Sequence, residues 1–282
     1  MAQSITLTAS MRSNLASLKS IQSQMDTTQE RLSTGKKVNS AIDNASSYYQ
    51  SRALTNRASD LSSLLDSMGQ GIQTIQAANE GLESLTSYVE QMKAVADTAA
   101  TLAADSADYA TELKSYQDQF NAIRAQAEKL INDTSYQGIN LLKGQKLTVV
   151  FNESRGNSLD VQVDSLLGDK GIDVLKADVN WTADDGATAK TTVDAAISAV
   201  TAGMTKLRSV SSEMGNTYSI IQTRQEFTEA LIDVLETGAD NLVLADMNEE
   251  SANYLALQTR QQLAINSLSL ASQSAQSVLQ LF

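Results

Sequence analysis

The 282-residue chain is acidic, with 21 Lys and Arg against 33 Asp and Glu for a net charge of −12, and it has neither cysteine nor histidine. That excludes disulfides, thiol nucleophiles, imidazole bases and nearly all zinc sites. With no acidic spacing of calcium-loop type and no basic patch interleaved with aromatics, a metal, a cofactor, catalysis and a nucleic-acid partner are all unexpected.

Proline is also absent, where average usage predicts about a dozen. Proline breaks helix interiors, so its absence fits long uninterrupted helices. Met1 to Ser10 has no basic n-region and no continuous apolar run, so it does not read as a secretory leader. No stretch of 18 apolar residues exists to insert in a membrane.

From about Ser4 to Leu32, Met11, Leu18, Met25 and Leu32 recur every seven residues, with Leu15 and Ile21 beside them. Gly35 is placed to stop this first helix. Residues 36–44 are polar and aperiodic and read as an ordered connector, with a plain exposed loop as the alternative on pattern alone. A rod follows from near Ala45. Leu54, Leu61, Met68, Ile75, Leu82, Val89, Ala96 and Ala103 make one column of a heptad, and Leu64, Gly71, Ala78, Leu85, Met92 and Ala99 a second. A 3.5-residue repeat places both columns on one buried face, and residues 54–103 would span roughly 75 Å as a helix.

Ala104, Asp105 and Ser106 read as a turn. Tyr109, Leu113, Tyr116, Phe120, Ile123, Ala127 and Leu130 then step 4-3-4-3-4-3, giving a shorter helix antiparallel to the rod. Period-two runs at Leu147, Val149, Phe151 and at Leu159, Val161, Val163, separated by Arg155-Gly156-Asn157, predict a β-hairpin. Residues 168–190 carry little pattern and are expected to be an exposed elaboration with little core. Helix returns with Val193, Ile197, Val200, Met204, Leu207, Ser211, Met214, Tyr218, Ile221, Gln225, Thr228, Ile232, Leu235, Ala239 and Leu242 in 4-3 steps. Gln261 to Phe282 holds no charge at all.

These readings give a mainly α fold: a long antiparallel helical bundle or coiled coil with a small mid-chain β-hairpin and paired N- and C-terminal helices. Terminal helices occupy residues 1–44 and 240–282. A central bundle takes 45–165 and 191–239, with the hairpin at about 143–165, and a small exposed insert takes 166–190.

The connector carries a resemblance. Glu30-Arg31-Leu32-Ser33-Thr34-Gly35-Lys36-Lys37-Val38-Asn39-Ser40-Ala41-Ile42-Asp43-Asn44-Ala45 resembles the R-L-S-S/T-G-x-K/R-I/V-N-S-A-x-D-D/N-A-A signature of bacterial flagellins, with Ser46 at the final alanine. Its matching positions include Arg31, Leu32, Ser33, Gly35, Asn39, Ser40, Ala41 and Asp43. Residues 134–142, 245–251 and 277–282 resemble further family patterns in the same order. The resemblance implies an extracellular structural polymer, the flagellar filament, exported without a cleaved leader through the flagellar type III route. It implies self-association as the main partnership, with an export chaperone and cap or junction proteins besides. The terminal helices would pair as an inner coiled coil around a central channel, the bundle would form the surrounding tube, and the insert would face outwards. The hook–filament junction protein is a related alternative. A chemoreceptor-like helical scaffold is another, but it needs a helical tip where this sequence has a hairpin.

Within that framework Met11, Leu18, Met25 and Leu32 are the expected packing residues of the N-terminal helix. Ala264, Leu268, Ala271, Ala275, Val278 and Phe282 are those of the C-terminal one. Gln262, Asn266, Ser269, Gln273, Gln276 and Gln280 take the same steps about 200° round the helix. Solvated helix backs normally carry charged pairs, and this one is polar but uncharged, as suits the wall of a channel that passes unfolded acidic chains.

Overall fold

A computed structural model describes residues 9–102, 109–167, 171–181 and 186–279. The described residues form five α-helices, α1 (Ala9–Thr34), α2 (Ala45–Ala100), α3 (Tyr109–Asp133), α4 (Gly186–Val243) and α5 (Met247–Leu279), and a hairpin of β1 (Leu147–Val150) and β2 (Ser158–Val161). The mainly helical fold, the hairpin and the pairing of α1 with α5 agree with the sequence reading. The expected turn at 104–106 lies outside the described residues.

The chain packs as two compact units. One joins residues 1–58 to 233–282, and the other comprises residues 59–232.

In the second unit the heptad columns form the core. Met68, Ile75, Leu82, Leu85, Val89, Met92 and Ala96 of α2 are buried, as are Leu113, Phe120, Ala127 and Ile131 of α3 and Val200, Leu207, Met214 and Ile221 of α4. Ser211 of α4 donates to Asn79 of α2, while Met214 and Tyr218 share a cleft with Ile75 and Leu207 and Arg208 share another with Glu83 and Ser87. As α4 numbers fall, α2 numbers rise, so the two helices are antiparallel here.

The hairpin pairs Leu147 with Val161 and Val149 with Leu159. The alternation seats Leu147, Val149 and Val161 in the core, as period two requires. The opposite face joins Thr148 and Lys146 to Asp160, which hold that carboxyl below its ordinary range, Lys146 the more strongly.

One expectation is corrected. The interval 166–190 is not simply an exposed insert, because Leu166, Ile172, Val174, Leu175 and Trp181 are buried. Residues 171–181 lie along α3 as a strap. Arg124 Nε donates to Asp178 at 3.0 Å, and its Nη1 reaches Glu128 and the buried Leu175 carbonyl at 3.3 and 3.2 Å. The Asn121 amide both donates to the Val179 carbonyl and accepts its N–H, each at 3.0 Å. Gln117 accepts the Trp181 N–H at 2.8 Å, and the Trp181 ring sits 5.2 Å from Phe120. Gln117, Asn121, Arg124 and Glu128 step 4-3-4 and so share one face of α3. On α4, Gly203 leaves room for Ile172, whose Cγ2 would lie 2.7 Å from an added Cβ.

Candidate functional site

In the first unit α1 and α5 lie against each other. Gln261 donates to Gln22 at 2.7 Å and Arg31 pairs with Glu250 at 2.9 Å. The falling α5 number against the rising α1 number makes the pair antiparallel. The half-buried or buried residues of α1 are Met11, Asn14, Leu18, Ile21, Met25, Thr28, Arg31 and Leu32, and those of α5 within 250–271 are Glu250, Tyr254, Leu257, Gln261, Ala264, Leu268 and Ala271. Apart from Arg31 these follow unbroken 3-4 steps, the spacing of a coiled-coil seam.

Of the residues singled out from sequence, Met11 and Met25 are buried and Leu18 and Leu32 half-buried on α1, while Ala264, Leu268 and Ala271 are half-buried on α5. Ala275 and Val278 lie within α5 with side chains that are not described, and Phe282 lies outside the described residues. Gln262, Asn266, Ser269 and Gln273 are exposed. The Gln276 side chain and Gln280 lie outside the described set. Sequence reasoning omitted Asn14, Thr28, Glu250 and Gln261 because they are polar members of an otherwise apolar column. Leu15, placed beside the seam from sequence, is 52% exposed.

The connector explains most of the signature. Gly35 closes α1 with φ +71°, its N–H donating to the Arg31 carbonyl at 2.8 Å. That left-handed conformation strains any residue with a Cβ. Lys36 bridges antiparallel to Leu244. The N–H groups of Lys37 and Val38 donate to the Val243 carbonyl at 2.8 and 3.3 Å, and Ala245 N–H donates to the Gly35 carbonyl at 2.9 Å. Val38 is buried. The two linkers joining the helices of this unit are thereby laced to each other.

Asp43 orders the rest. Its Oδ2 accepts the N–H of Asn39 at 3.0 Å, the N–H of Ser40 at 2.9 Å and the Ser40 hydroxyl at 3.1 Å. These donors, the Ser40 N–H foremost and then the Asn39 N–H, hold the Asp43 carboxyl below the ordinary carboxylate range. Asn44 accepts the Ser47 N–H and caps α2. Asp246 accepts the N–H groups of Asn248 and Glu249 and caps α5. Ser33 is exposed and Ala41 half-buried. At the tip Ile42 is 95% exposed. Among the described residues no group of three His, Cys, Asp or Glu could hold a metal ion, and no helix is long and apolar enough to cross a membrane. What this unit offers is seams and surfaces for packing.

Comparison with known proteins agrees with this geometry. The family model for the bacterial flagellin N-terminal helical region matches residues 5–147, and that for the C-terminal helical region matches residues 193–282. Flagellin FljK of Caulobacter vibrioides is 32% identical over 99% of this chain and 98% of its own length. A flagellin of Brucella melitensis is 30% identical over 99% of both chains. A solved structure described as a flagellar hook-associated protein of Vibrio parahaemolyticus shares the fold, with a TM-score of 0.57, over 72% of this chain and all of that one, at 12% identity.

Proposed function

This chain belongs to the bacterial flagellin family and is a structural subunit of the extracellular flagellar filament. From that premise we propose that α1 and α5 form the inner layer of the filament wall, with the stripe of Gln262, Asn266, Ser269, Gln273, Gln276 and Gln280 turned to the lumen. The observation that carries this reading is the two-sidedness of α5: Ala264, Leu268 and Ala271 are half-buried, whereas Gln262, Asn266, Ser269 and Gln273 stand in solvent. A polar, uncharged wall lets an unfolded acidic chain pass without being held or repelled at short range.

The test separates assembly from passage. Gln273→Lys leaves seeded polymerisation of purified chain intact but shortens filaments grown by living cells. Leu268→Asp blocks polymerisation itself. A filament structure with Leu268 in the channel and Gln273 buried between helices would refute the assignment.

An export chaperone and a cap or junction protein are the further partners in this reading, and export proceeds without cleavage of a leader. Filament subunits should accordingly still carry the segment that precedes Ala9 when their N-terminal peptides are sequenced; its loss would overturn that part. The hook-associated alternative draws on the fold alone.

A further inference from the structure

Charge is divided unevenly between the two stretches that build the terminal-helix unit. Residues 9–58 hold seven Arg or Lys against three Asp or Glu, whereas residues 233–279 hold six Asp or Glu against one Arg. Lys36, Lys37 and Arg52 on the first stretch stand in solvent, as do Asp233, Glu236 and Asp240 on the second. The Arg31–Glu250 pair uses one charge from each. Among the described residues Lys37 Nζ reaches only the Asn241 carbonyl, at 3.5 Å. Lys36, Arg52 and Asp240 border one cleft, yet among the described residues no ion pair joins them.

The acidic side chains are also aligned. Asp233, Glu236 and Asp240 follow a 3-4 step and so share one face of α4, and Glu226 and Glu229 continue the same step upstream. Like charges at that spacing destabilise a helix, and among the ion pairs of the described residues none ends on Asp233, Glu236 or Asp240. A basic surface and an acidic one on the same chain complement each other but not themselves. An isologous contact at either would set like charge against like, whereas a head-to-tail contact pairs opposites and propagates.

We propose that this unit makes a heterologous, charge-matched contact, in which Lys36, Lys37 and Arg52 of one copy dock on the Asp233–Glu236–Asp240 face of α4 in a second copy. The inference rests on the reading of the chain as a filament subunit. Opposite charge steers each incoming copy into register as well as holding it.

Two full-length variants test it. One carries Lys36→Glu, Lys37→Glu and Arg52→Glu, so both surfaces are acidic; the other carries Asp233→Lys, Glu236→Lys and Asp240→Lys, so both are basic. Each alone should extend filament seeds at least about tenfold more slowly than the unmodified chain, as like-charge juxtaposition implies. Mixed in equal amounts they should recover growth, which no contact within a chain can produce. If the unmodified chain fails to grow on seeds, the filament reading itself fails. If it grows but the mixture does no better than either variant alone, or either variant alone matches it, the docking inference is overturned. Should a triple variant misfold by circular dichroism, the lack of native cysteine provides a milder test. Filaments copolymerised from Arg52→Cys and Glu236→Cys chains should yield mixed dimers with a short bis-maleimide, and monomer alone would refute the contact.

Discussion

Arg124→Ala is the most informative single change in the second unit, because one guanidinium ties the 171–181 strap to α3. Its hydrogen bond to the buried Leu175 carbonyl is charge-assisted, and losing it costs about 1.5–3 kcal/mol. Its ion pairs end on Asp178 and Glu128, whose side chains are 67% and 45% exposed, so each adds only about 0–1 kcal/mol. The expected total is about 1.5–5 kcal/mol, which at a slope of about 2 kcal/mol per molar urea lowers the midpoint by roughly 0.75–2.5 M. Trp181 is the sole tryptophan and is itself the buried last residue of the strap, so its emission reports strap release directly, while circular dichroism at 222 nm reports the helices. In the unmodified protein the two signals should fall together; in the variant the Trp181 emission should shift red first. An unchanged midpoint with coincident signals would show that Arg124 does not hold the strap.

Further outcomes follow from other named groups. Trp181 Nε1 is buried with no hydrogen-bond partner among the described residues, a state that costs about 1–3 kcal/mol. Trp181→Phe should therefore lose less stability in urea than the volume removed suggests, and a loss as large as that of Trp181→Ala would contradict this. The depressed Asp43 carboxyl favours the folded connector at neutral pH, and this contribution is lost as pH falls from the ordinary carboxylate range through the lowered value. Amide exchange at Asn39 and Ser40 should accelerate over that acid window and become pH-insensitive, after correction for intrinsic rates, in Asp43→Asn; equal profiles for both proteins would refute the role. The thin seam of α1 and α5 should leave both helices unpaired in dilute monomer and helical in the filament. Limited proteolysis should then trim residues 9–34 and 247–279 and spare the second unit, and uniform resistance would count against folding on assembly.

Periodicity made the long helices legible because each buries a continuous stripe. Every heptad position read from Val193 to Leu242 is buried or half-buried, including the polar Ser211, Gln225 and Thr228. The hairpin was legible for the analogous reason at period two. The strap was not. Its order comes from the polar side chains of Gln117, Asn121 and Arg124 on another element, and a sequence window over 171–181 contains none of them. Arg124 itself reads as a solvated helix charge until Asp178 and Leu175 are brought beside it. In the terminal pair the apolar half of each seam was readable. Thr28 and Glu250 were not, since a buried polar group is recognised only through its partner, as Glu250 is through Arg31.

The lacing of the two linkers has a mechanical consequence. Ten residues separate α1 from α2 but only three separate α4 from α5, and left to itself the longer linker would be much the more compliant. Hydrogen bonds from Lys37, Val38 and Ala245 across to Val243 and Gly35 deny it that freedom. To swing on Gly35 alone, α1 would have to break backbone bonds to the short linker. The joint therefore stiffens to the standard of its shorter member, and a load applied along either terminal helix is shared by two strands of chain.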